Sequence, residues 1–379
     1  MRIICAPDSF KESMSALEAA EAMAAGIHEV NPTADCRLVP MADGGEGTTG
    51  SIIDALGGEM IELPAMDALG RLVTAHYGWV ADRRLAVIET AQAIGLERIA
   101  PADRDVELAS SYGAGQMIAD ALARGAGHLI IGLGGSATND GGAGLISALG
   151  ARFLDSSGAP IGPGGAALID LASVDLSGVD PLLAACRIEL ACDVDNPLLG
   201  PIGASAVFGP QKGASPEQVA RLDAALAHYA DVMEAACGVA FRDIPGAGAA
   251  GGMGTPLMAL AHPEVRPGVQ IVIETVGLAE QVAGADWVFT GEGSIDFQTL
   301  HGKTLMGVLG VAREAGVPVI MFGGQITEAA RPLLDQGVTA CMPIVGRVSD
   351  LATALAQGPA NLQAASAVVM RLLQASTTL

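Results

Sequence analysis

In this chain of 379 residues, three lysines have the sequence surroundings that most strongly indicate a functional role. Lys11, Lys212 and Lys303 each lie in a short segment rich in glycine or polar residues, and every other residue among the 20 lysines and arginines is an arginine. A lysine ammonium is a compact point charge that suits a phosphate group, whereas arginine presents a planar fork. Composition and chance could also leave three lysines in such places. We expect at least two of them to bind an anionic group.

A glycine-rich segment with small polar side chains spans residues 134–142, after an apolar strand-like run and before a helical one. Successive backbone N–H groups in such a loop can form a nest for an anion. Asp140 could hold a metal ion or cap the following helix, and the sequence leaves both roles open. We predict that the remaining polar and glycine residues of the loop bind substrate, namely Gly134, Gly135, Ser136, Thr138 and Asn139.

Two further loops carry paired carboxylates. Asp43 and Glu46 lie three residues apart in a glycine loop, which suits a divalent cation or substrate hydroxyls, although an acidic turn with Asp43 as a helix cap is the simpler alternative. Asp193 and Asp195 alternate, so in an extended segment both would face the same way. They could bind Mg²⁺ or accept a proton, or they could form an Asx-turn closed by Pro197.

Acidic and basic residues are also combined near both ends of the chain. Asp8 and Ser9 follow the first predicted strand, close to Lys11. Glu292 and Asp296 follow a later predicted strand, with Lys303 within reach. Carboxylates for a metal ion or a base, together with lysines for phosphate, are the mixture that phosphoryl transfer needs.

Composition and missing motifs disfavour several other functions. The net charge of −22 and the pI of about 4.4 argue against a nucleic-acid or anionic-membrane partner. The six cysteines lack metal-type spacing and the six histidines are scattered, which disfavours a zinc site. No apolar run approaches the length of a membrane span, and the first residues resemble a strand rather than a signal peptide. We therefore expect a cytoplasmic protein.

Familiar nucleotide-binding fingerprints give only weak support. Three segments fit the G-x-G-x-x-G/A pattern, but three matches in a chain with 50 glycines show how unspecific that pattern is. A P-loop is excluded because the leading glycine position before Gly302, Lys303 and Thr304 is Phe297. A dehydrogenase and a P-loop kinase are both disfavoured.

The two ends of the chain share an alternating strand–helix pattern, and the middle departs from it. Strand-like and helical runs alternate at the start and again after residue 286, whereas the middle contains a predicted antiparallel hairpin and a looser Gly/Pro-rich stretch. We predict a doubly wound parallel-sheet domain formed by residues 1–58 and 285–379. A mixed α/β domain of residues 59–284 is predicted to be inserted in it, with the active site in the cleft between the two.

Taken together, the motifs resemble those of the type 1 glycerate kinases. The resemblance runs in order through residues 6–13 (APDSFKES), 41–48 (MADGGEGT), 134–142 (GGSATNDGG), 208–213 (FGPQKG), 249–253 (AAGGM) and 290–293 (TGEG), with Asp296, Gln298, Gly302 and Lys303. This sequence departs from the family pattern at Ser294, because the residue at that position is often basic in the family.

The resemblance implies a fold and an activity. It implies a flavodoxin-like domain with an inserted α/β domain, and ATP- and Mg²⁺-dependent phosphorylation of glycerate, for which bacterial members commonly make 2-phosphoglycerate. It also implies that residues from both domains face the cleft. From one domain these are Asp8, Ser9, Lys11, Asp43, Glu46, Glu292, Asp296 and Lys303, and from the other they are Ser136, Thr138, Asn139, Asp140, Asp193 and Lys212.

These expectations combine into one hypothesis, the conversion of D-glycerate to 2-phosphoglycerate. Asp193 is the first candidate base and Asp296 the second, while Lys11, Lys212 and Lys303 neutralise the transferred phosphoryl group. The substrate is held by the glycine loop with Asp8, Ser9, Lys212 and Glu292, and Mg²⁺ by some of Asp43, Glu46, Asp140 and Asp195. A glycerate 3-kinase, a kinase of another small hydroxy acid and a non-catalytic ligand sensor remain alternatives.

Overall fold

Contacts between Cα atoms divide the chain into two units. The computed structural model describes residues 1–296, residue 299 and residues 304–377. The first unit contains Met1–Gly57 and the chain from Val269 onward, and the second contains Gly58–Gly268. Residues 269–284, which the sequence pattern placed in the inserted domain, belong to the first unit.

Strands and helices alternate along much of the chain. The strands are β1 (Arg2–Cys5), β2 (Asp35–Leu38), β3 (Glu59–Met66), β4 (Leu72–Val80), β5 (Leu85–Glu89), β6 (His128–Gly132), β7 (Arg152–Leu154), β8 (Ser173–Asp175), β9 (Arg187–Ala191), β10 (Glu264–Arg266), β11 (Trp287–Ile295), β12 (Val319–Ile326) and β13 (Val338–Pro343). The α-helices are α1 (Ala16–Val30), α2 (Thr48–Leu56), α3 (Ala91–Ile94), α4 (Tyr112–Ala123), α5 (Ala143–Ala148), α6 (Leu182–Ala185), α7 (Ala204–Phe208), α8 (Pro216–Cys237), α9 (Thr255–Leu260), α10 (Gly268–Val276), α11 (Leu278–Val282), α12 (Thr304–Glu314), α13 (Pro332–Asp335), α14 (Leu351–Ala356) and α15 (Gly358–Thr377).

The first unit contains a five-stranded, fully parallel sheet. Its spatial order is β2-β1-β11-β12-β13, and each neighbouring pair is parallel. Counted within this unit, the order is 2-1-3-4-5, which is the flavodoxin-like arrangement. The predicted flavodoxin-like doubly wound sheet is therefore confirmed. In such sheets ligands bind outside the carboxyl ends of the strands at the point where the strand order reverses, here between β1 and β11.

The second unit contains a mixed six-stranded sheet of order β10-β9-β6-β5-β4-β3. The strands from β10 to β5 are parallel, whereas β4 and β3 join the edge in antiparallel orientation. The predicted antiparallel hairpin between β4 and β5 is present. This mixed sheet confirms a second α/β domain, and it places the loops after β5, β6 and β9 at one edge of the sheet.

Two long helices begin where the sequence places capping signals. Ser15 accepts a hydrogen bond from the backbone of Glu18, whose side chain bonds back to Ser15, and this capping box starts α1. Ser215 and Gln218 form the same motif at the start of α8. Both helices therefore begin at a serine that caps their first turn.

Each sheet lies against a core of aliphatic and aromatic side chains. In the first unit, Phe289 and Phe322 come from neighbouring strands, and their ring centroids are 5.3 Å apart. In the second unit, Tyr229 on α8 is fully buried near Phe153 and Phe241. Within the described residues, no helix has both the length and the apolar character needed to cross a membrane.

Two helical glycines provide a test of how closely α1 packs against α15. A Cβ added at Gly26 would collide with the backbone carbonyl oxygen of Gln363 and lie 2.9 Å from the Cβ of Ser366, whereas a Cβ added at Gly50 in α2 would meet nothing within 4 Å. We expect Gly26→Ala to lower the free energy of unfolding by about 1–3 kcal/mol because the two helices must separate. The control Gly50→Ala should raise it by about 0.5–1 kcal/mol through helix propensity.

Urea denaturation of both variants checks this prediction. If Gly26→Ala is as stable as Gly50→Ala, the close helix packing described for the first unit is wrong.

Candidate active site

A cavity of about 530 Å³ lies in the first unit, and many of the predicted site residues line it. Its walls include the loops after β1 and β2 and the carboxyl end of β11, at the switch point of the parallel sheet. The structure thus brings together seven residues that were predicted from separate sequence motifs: Asp8, Ser9, Lys11, Asp43, Glu46, Glu292 and Asp296.

Asp8 is the most constrained carboxylate of this cavity. Its two oxygens accept hydrogen bonds from the backbone N–H of Ser9 at 2.6 Å and from the hydroxyl of Thr304 at 2.5 Å. Burial raises the pKa of Asp8, the two hydrogen bonds oppose that shift, and the nearby Asp43 adds to it. Its carboxylate is therefore held in place, and it favours a cation or a hydroxyl donor as its next neighbour.

The loop after β2 presents two carboxylates to the same cavity. Asp43 accepts a hydrogen bond from the backbone N–H of Gly45 at 3.0 Å, which closes the turn, and Glu46 is exposed. Gly47 has a φ of 88°, a conformation that favours glycine, and α2 begins directly after it. The acidic turn is therefore present, but the helix-cap role of Asp43 is wrong, because the N-cap of α2 is Gly47 and no side chain among the described residues caps this helix. The turn leaves the carboxylate of Asp43 facing the cavity.

The carboxyl end of β11 supplies two more acids. The hydroxyl of Thr299 donates to Glu292 at 2.5 Å and accepts from the backbone N–H of Asp296 at 3.1 Å. Ser294, at the position where the family pattern is often basic, donates to Asp296 at 3.1 Å. Lys303 and Gln298 lie outside the described residues.

The charge of this cavity is strongly asymmetric. Among its described lining residues there are five carboxylates, and Lys11 is the one basic residue. A bare anion would be repelled there, whereas a divalent cation or a ligand rich in hydroxyl groups would be attracted.

The second unit holds a buried lysine next to the glycine loop. Lys212 lies at the end of a 3₁₀ turn, Pro210–Lys212, and is only 3% exposed. Its ammonium donates to the backbone oxygen of Thr138 at 2.6 Å and to the hydroxyl of Ser136 at 3.3 Å. Burial lowers its pKa to about 7, and the opposing attraction of Asp140 is smaller. A buried lysine normally has an acidic partner, but none of the described carboxylates forms an ion pair with Lys212.

Two polar atoms beside this lysine have no hydrogen-bond partner among the described residues. They are the hydroxyl of Thr138 and the amide oxygen of Asn139, and both side chains are fully buried. The amide nitrogen of Asn139 donates to Ser205 at 2.9 Å, which fixes the side chain. Buried polar groups are normally paired, so these two atoms indicate a place for a polar ligand.

The backbone of the loop that carries these residues is held by hydrogen bonds to residues 94–96. Gly135 has a φ of 74°, and its carbonyl oxygen accepts a hydrogen bond from the backbone of Leu96. The backbone N–H of Ala137 donates to Ile94, so it cannot contribute to the predicted anion nest. An anion at residues 134–139 would therefore be bound mainly by side chains of this loop and by Lys212, and less by backbone N–H groups.

Asp140 is fully engaged in holding the loop. Its carboxylate accepts four hydrogen bonds, from the N–H and hydroxyl of Ser111 at 2.8 Å each, from Gly142 at 3.1 Å and from Gly144 at 3.2 Å. Burial raises its pKa, and these bonds oppose the rise. The capping role is therefore present, and metal binding by Asp140 remains a prediction that would require some of these bonds to be released.

Asp193 and Asp195 follow β9, and both are exposed. The carboxylate of Asp193 accepts a hydrogen bond from the backbone N–H of Gly268 at 3.0 Å. An exposed carboxylate that is positioned in part by a backbone hydrogen bond can accept a proton from a bound hydroxyl. Its role as the base stays a prediction.

Divalent-metal binding is predicted for some of Asp43, Glu46, Asp140 and Asp195. No group of three or more His, Cys, Asp or Glu side chains is placed to hold a metal ion within the described part of the chain. Mg²⁺ usually needs only one or two carboxylates, because substrate phosphates and water complete its shell. The oxygen ligands of Asp43 and Glu46 meet this requirement.

Sequence reasoning missed several positioning residues. Ser111 holds Asp140, Thr304 holds Asp8 and Thr299 holds Glu292. Thr304 directly follows Lys303, but a hydroxyl next to a lysine gives no sign that it bonds to a residue almost 300 positions away. Ser111 directly precedes α4, and a serine at a helix start gives no sign in the sequence that it holds a distant carboxylate.

Comparison with known proteins assigns the chain to a family. The family model described as the glycerate kinase family matches residues 3–374. The chain is 51% identical over 345 residues to the glycerate kinase of Bacillus subtilis (strain 168), covering 91% of this chain and 90% of that protein. It is 44% identical over 378 residues to the glycerate 2-kinase of Escherichia coli (strain K12), covering 98% and 99%.

A solved structure agrees over the whole length. The crystal structure of a Salmonella typhimurium LT2 protein assigned as glycerate kinase 2 has a TM-score of 0.93 and 46% sequence identity, and the match covers 100% of both chains. With matches of this length and identity, the chain belongs to the glycerate kinase family.

Proposed function

We propose that the protein transfers the γ-phosphoryl group of ATP to D-glycerate and forms 2-phosphoglycerate. The observation that carries the proposal is Lys212, a buried ammonium without an ion-pair partner among the described residues, next to the unpaired hydroxyl of Thr138. Both glycerate and ATP are anions that such a group would bind. The name of the Escherichia coli relative, glycerate 2-kinase, supports the choice of hydroxyl.

The anionic group is received in the second unit. A carboxylate or phosphoryl oxygen that reaches Lys212 would accept hydrogen bonds from its ammonium and from Ser136 and Thr138. In this buried environment each of these contacts is stronger than in water. Binding of an anion would also raise the pKa of Lys212, so that the lysine is charged when the substrate is present.

The acidic cavity in the first unit has a complementary role. Its carboxylates can accept hydrogen bonds from the hydroxyl groups of glycerate, with Asp8 and Glu292 already oriented by Thr304 and Thr299. Asp43 and Glu46 would hold Mg²⁺, which supplies neutralisation of phosphate charge when bound. Lys11 and Lys303 would add positive charge for the transferred group.

The chemical step is an in-line displacement. The 2-hydroxyl oxygen of glycerate attacks the γ-phosphorus, a new oxygen–phosphorus bond forms, and the bond to the β-phosphate oxygen breaks to release ADP. Asp193 accepts the hydroxyl proton, with Asp296 as the second candidate.

Phosphorus NMR of the reaction tests this function directly. The protein is incubated with D-glycerate and Mg-ATP, and we expect the phosphate signal of 2-phosphoglycerate together with ADP. L-Glycerate and a reaction without protein are the controls. A 3-phosphoglycerate signal would support a glycerate kinase but show that the other hydroxyl is phosphorylated. The absence of product from both enantiomers would contradict the proposal.

A conservative substitution tests the base. Asp193→Asn keeps the shape of the side chain and removes its ability to take a proton, so we expect kcat to fall by about 10²–10⁴-fold with little change in KM. Asp170→Asn, at an exposed carboxylate of the same unit, is the matched control and should retain full activity. If Asp193→Asn keeps kcat within a few-fold of the original protein and Asp296→Asn does not, the base is Asp296.

A further inference from the structure

A second cavity lies in the second unit, and it contains almost none of the residues discussed above. It has a volume of about 830 Å³, and its walls come from the turn after β3, residues 103–112, the start of α5, β7 and residues 160–164. Apolar side chains form much of the wall, among them Leu69, Leu108, Tyr112, Phe153, Ile161 and Leu168. Cavities of this size and character usually accept an organic ligand much larger than glycerate.

The charge of the cavity excludes an anion as its main occupant. Four aspartates line it: Asp67, Asp103, Asp105 and Asp140. The one basic lining residue, Arg152, is exposed and pairs with Asp175 at 3.2 Å. A carboxylate or phosphate inside would be repelled, whereas a flat, uncharged group with amino or hydroxyl donors would fit.

Some of the lining carboxylates are already used by the protein. Asp67 accepts hydrogen bonds from Leu69 and Arg71, and Asp140 holds the loop of residues 134–142. Asp105 caps the backbone N–H groups of Glu107 and Leu108 with one oxygen. Asp103 is exposed, and together with Asp105 it offers acceptors at the edge of the cavity.

The residue between these two aspartates connects the cavity with the turn that carries Lys212. Arg104 makes a long contact of 3.5 Å from its guanidinium to the backbone oxygen of Gln211, and its Cβ lies 3.5 Å from where a Cβ on Gly213 would be. Gln211 and Gly213 are the two neighbours of Lys212. The Nε of Arg104 is buried and has no hydrogen-bond partner among the described residues.

We propose that this cavity binds the nucleoside part of ATP, and that Arg104 guides the phosphate chain from the cavity towards Lys212. The base lies against the apolar wall, and the ribose hydroxyls donate to Asp103 or Asp105. The proposal rests on the kinase function proposed above. The loop of residues 134–142 contributes Asp140 to the cavity wall and contacts Lys212 through Ser136 and Thr138. A nucleotide fits both places because it is uncharged at one end and anionic at the other.

Two matched leucine substitutions test the nucleoside pocket. Leu108 lines the cavity and is 55% exposed, while Leu182 is 49% exposed and does not line it. Because both are surface positions, neither Leu108→Glu nor Leu182→Glu should disturb folding, which circular dichroism checks. We expect Leu108→Glu to raise the KM for ATP and the Kd for ADP by about 10–100-fold through repulsion of the phosphates and loss of apolar contact. The KM for glycerate should stay unchanged, and Leu182→Glu should match the original protein.

Calorimetric titration with ADP and with adenosine separates the two ends of the nucleotide. Arg104→Gln should weaken ADP binding by about ten-fold and leave adenosine binding unchanged, since the arginine contacts only phosphate. Arg104→Lys should restore part of the loss. Leu108→Glu should weaken the binding of both ligands.

The outcomes distinguish this proposal from the proposed function. If the original protein phosphorylates glycerate while Leu108→Glu leaves the KM for ATP and the Kd for ADP within two-fold, the pocket assignment is wrong and the kinase stands. A rise in the KM for glycerate alone would also overturn it. A third outcome is that ADP and adenosine bind and Leu108→Glu abolishes that binding, but glycerate is never phosphorylated. In that case the pocket assignment is confirmed and the proposed substrate is wrong.

Discussion

The burial of Lys212 is the constraint on which the account of the second unit depends. Removing an ammonium from water without an acidic partner costs free energy, and the residues that the structure describes offer Lys212 one backbone oxygen and one hydroxyl. The cost is reflected in a pKa lowered to about 7. A protein that keeps such a group stores an unsatisfied charge at this place. An anionic ligand would satisfy this charge, and the hydroxyl of Thr138, which has no hydrogen-bond partner among the described residues, supports the same proposal.

The two sheets position their functional loops by the same geometric rule. Parallel strands direct their carboxyl ends to one edge, so residues that are distant in sequence meet there. In the first unit, Asp8 after β1 and Glu292 on β11 reach one cavity in this way. In the second, the loops after β6 and β9 end at one edge of the mixed sheet. Hydroxyl groups on neighbouring segments then fix the carboxylates, as Thr304 does for Asp8 and Ser111 for Asp140.

Local patterns in the sequence predicted the fold well because their causes are local. The capping boxes at Ser15 and Ser215, the apolar runs of the parallel strands and the turn between β4 and β5 each depend on neighbouring residues. The roles of the carboxylates depend on distant partners. Asp140 could cap or bind metal from its sequence context, and only its bonds to Ser111 and two glycines show the capping arrangement. No sequence pattern indicated a role for Arg104 for the same reason, because its contact with Gln211 joins residues that are far apart in the chain.

The ionisation of Lys212 is the measurement that tests this account most directly. The chain has only three lysines, so NMR of protein labelled at the lysine side chains gives few signals, and Lys212→Met identifies the one of interest. We expect that signal to titrate near pH 7 in the free protein, with the neutral amine present above that pH, and to shift to a higher pKa on saturation with glycerate or ADP. A signal that titrates near the ordinary lysine value of about 10.4, unchanged by either ligand, would contradict the account.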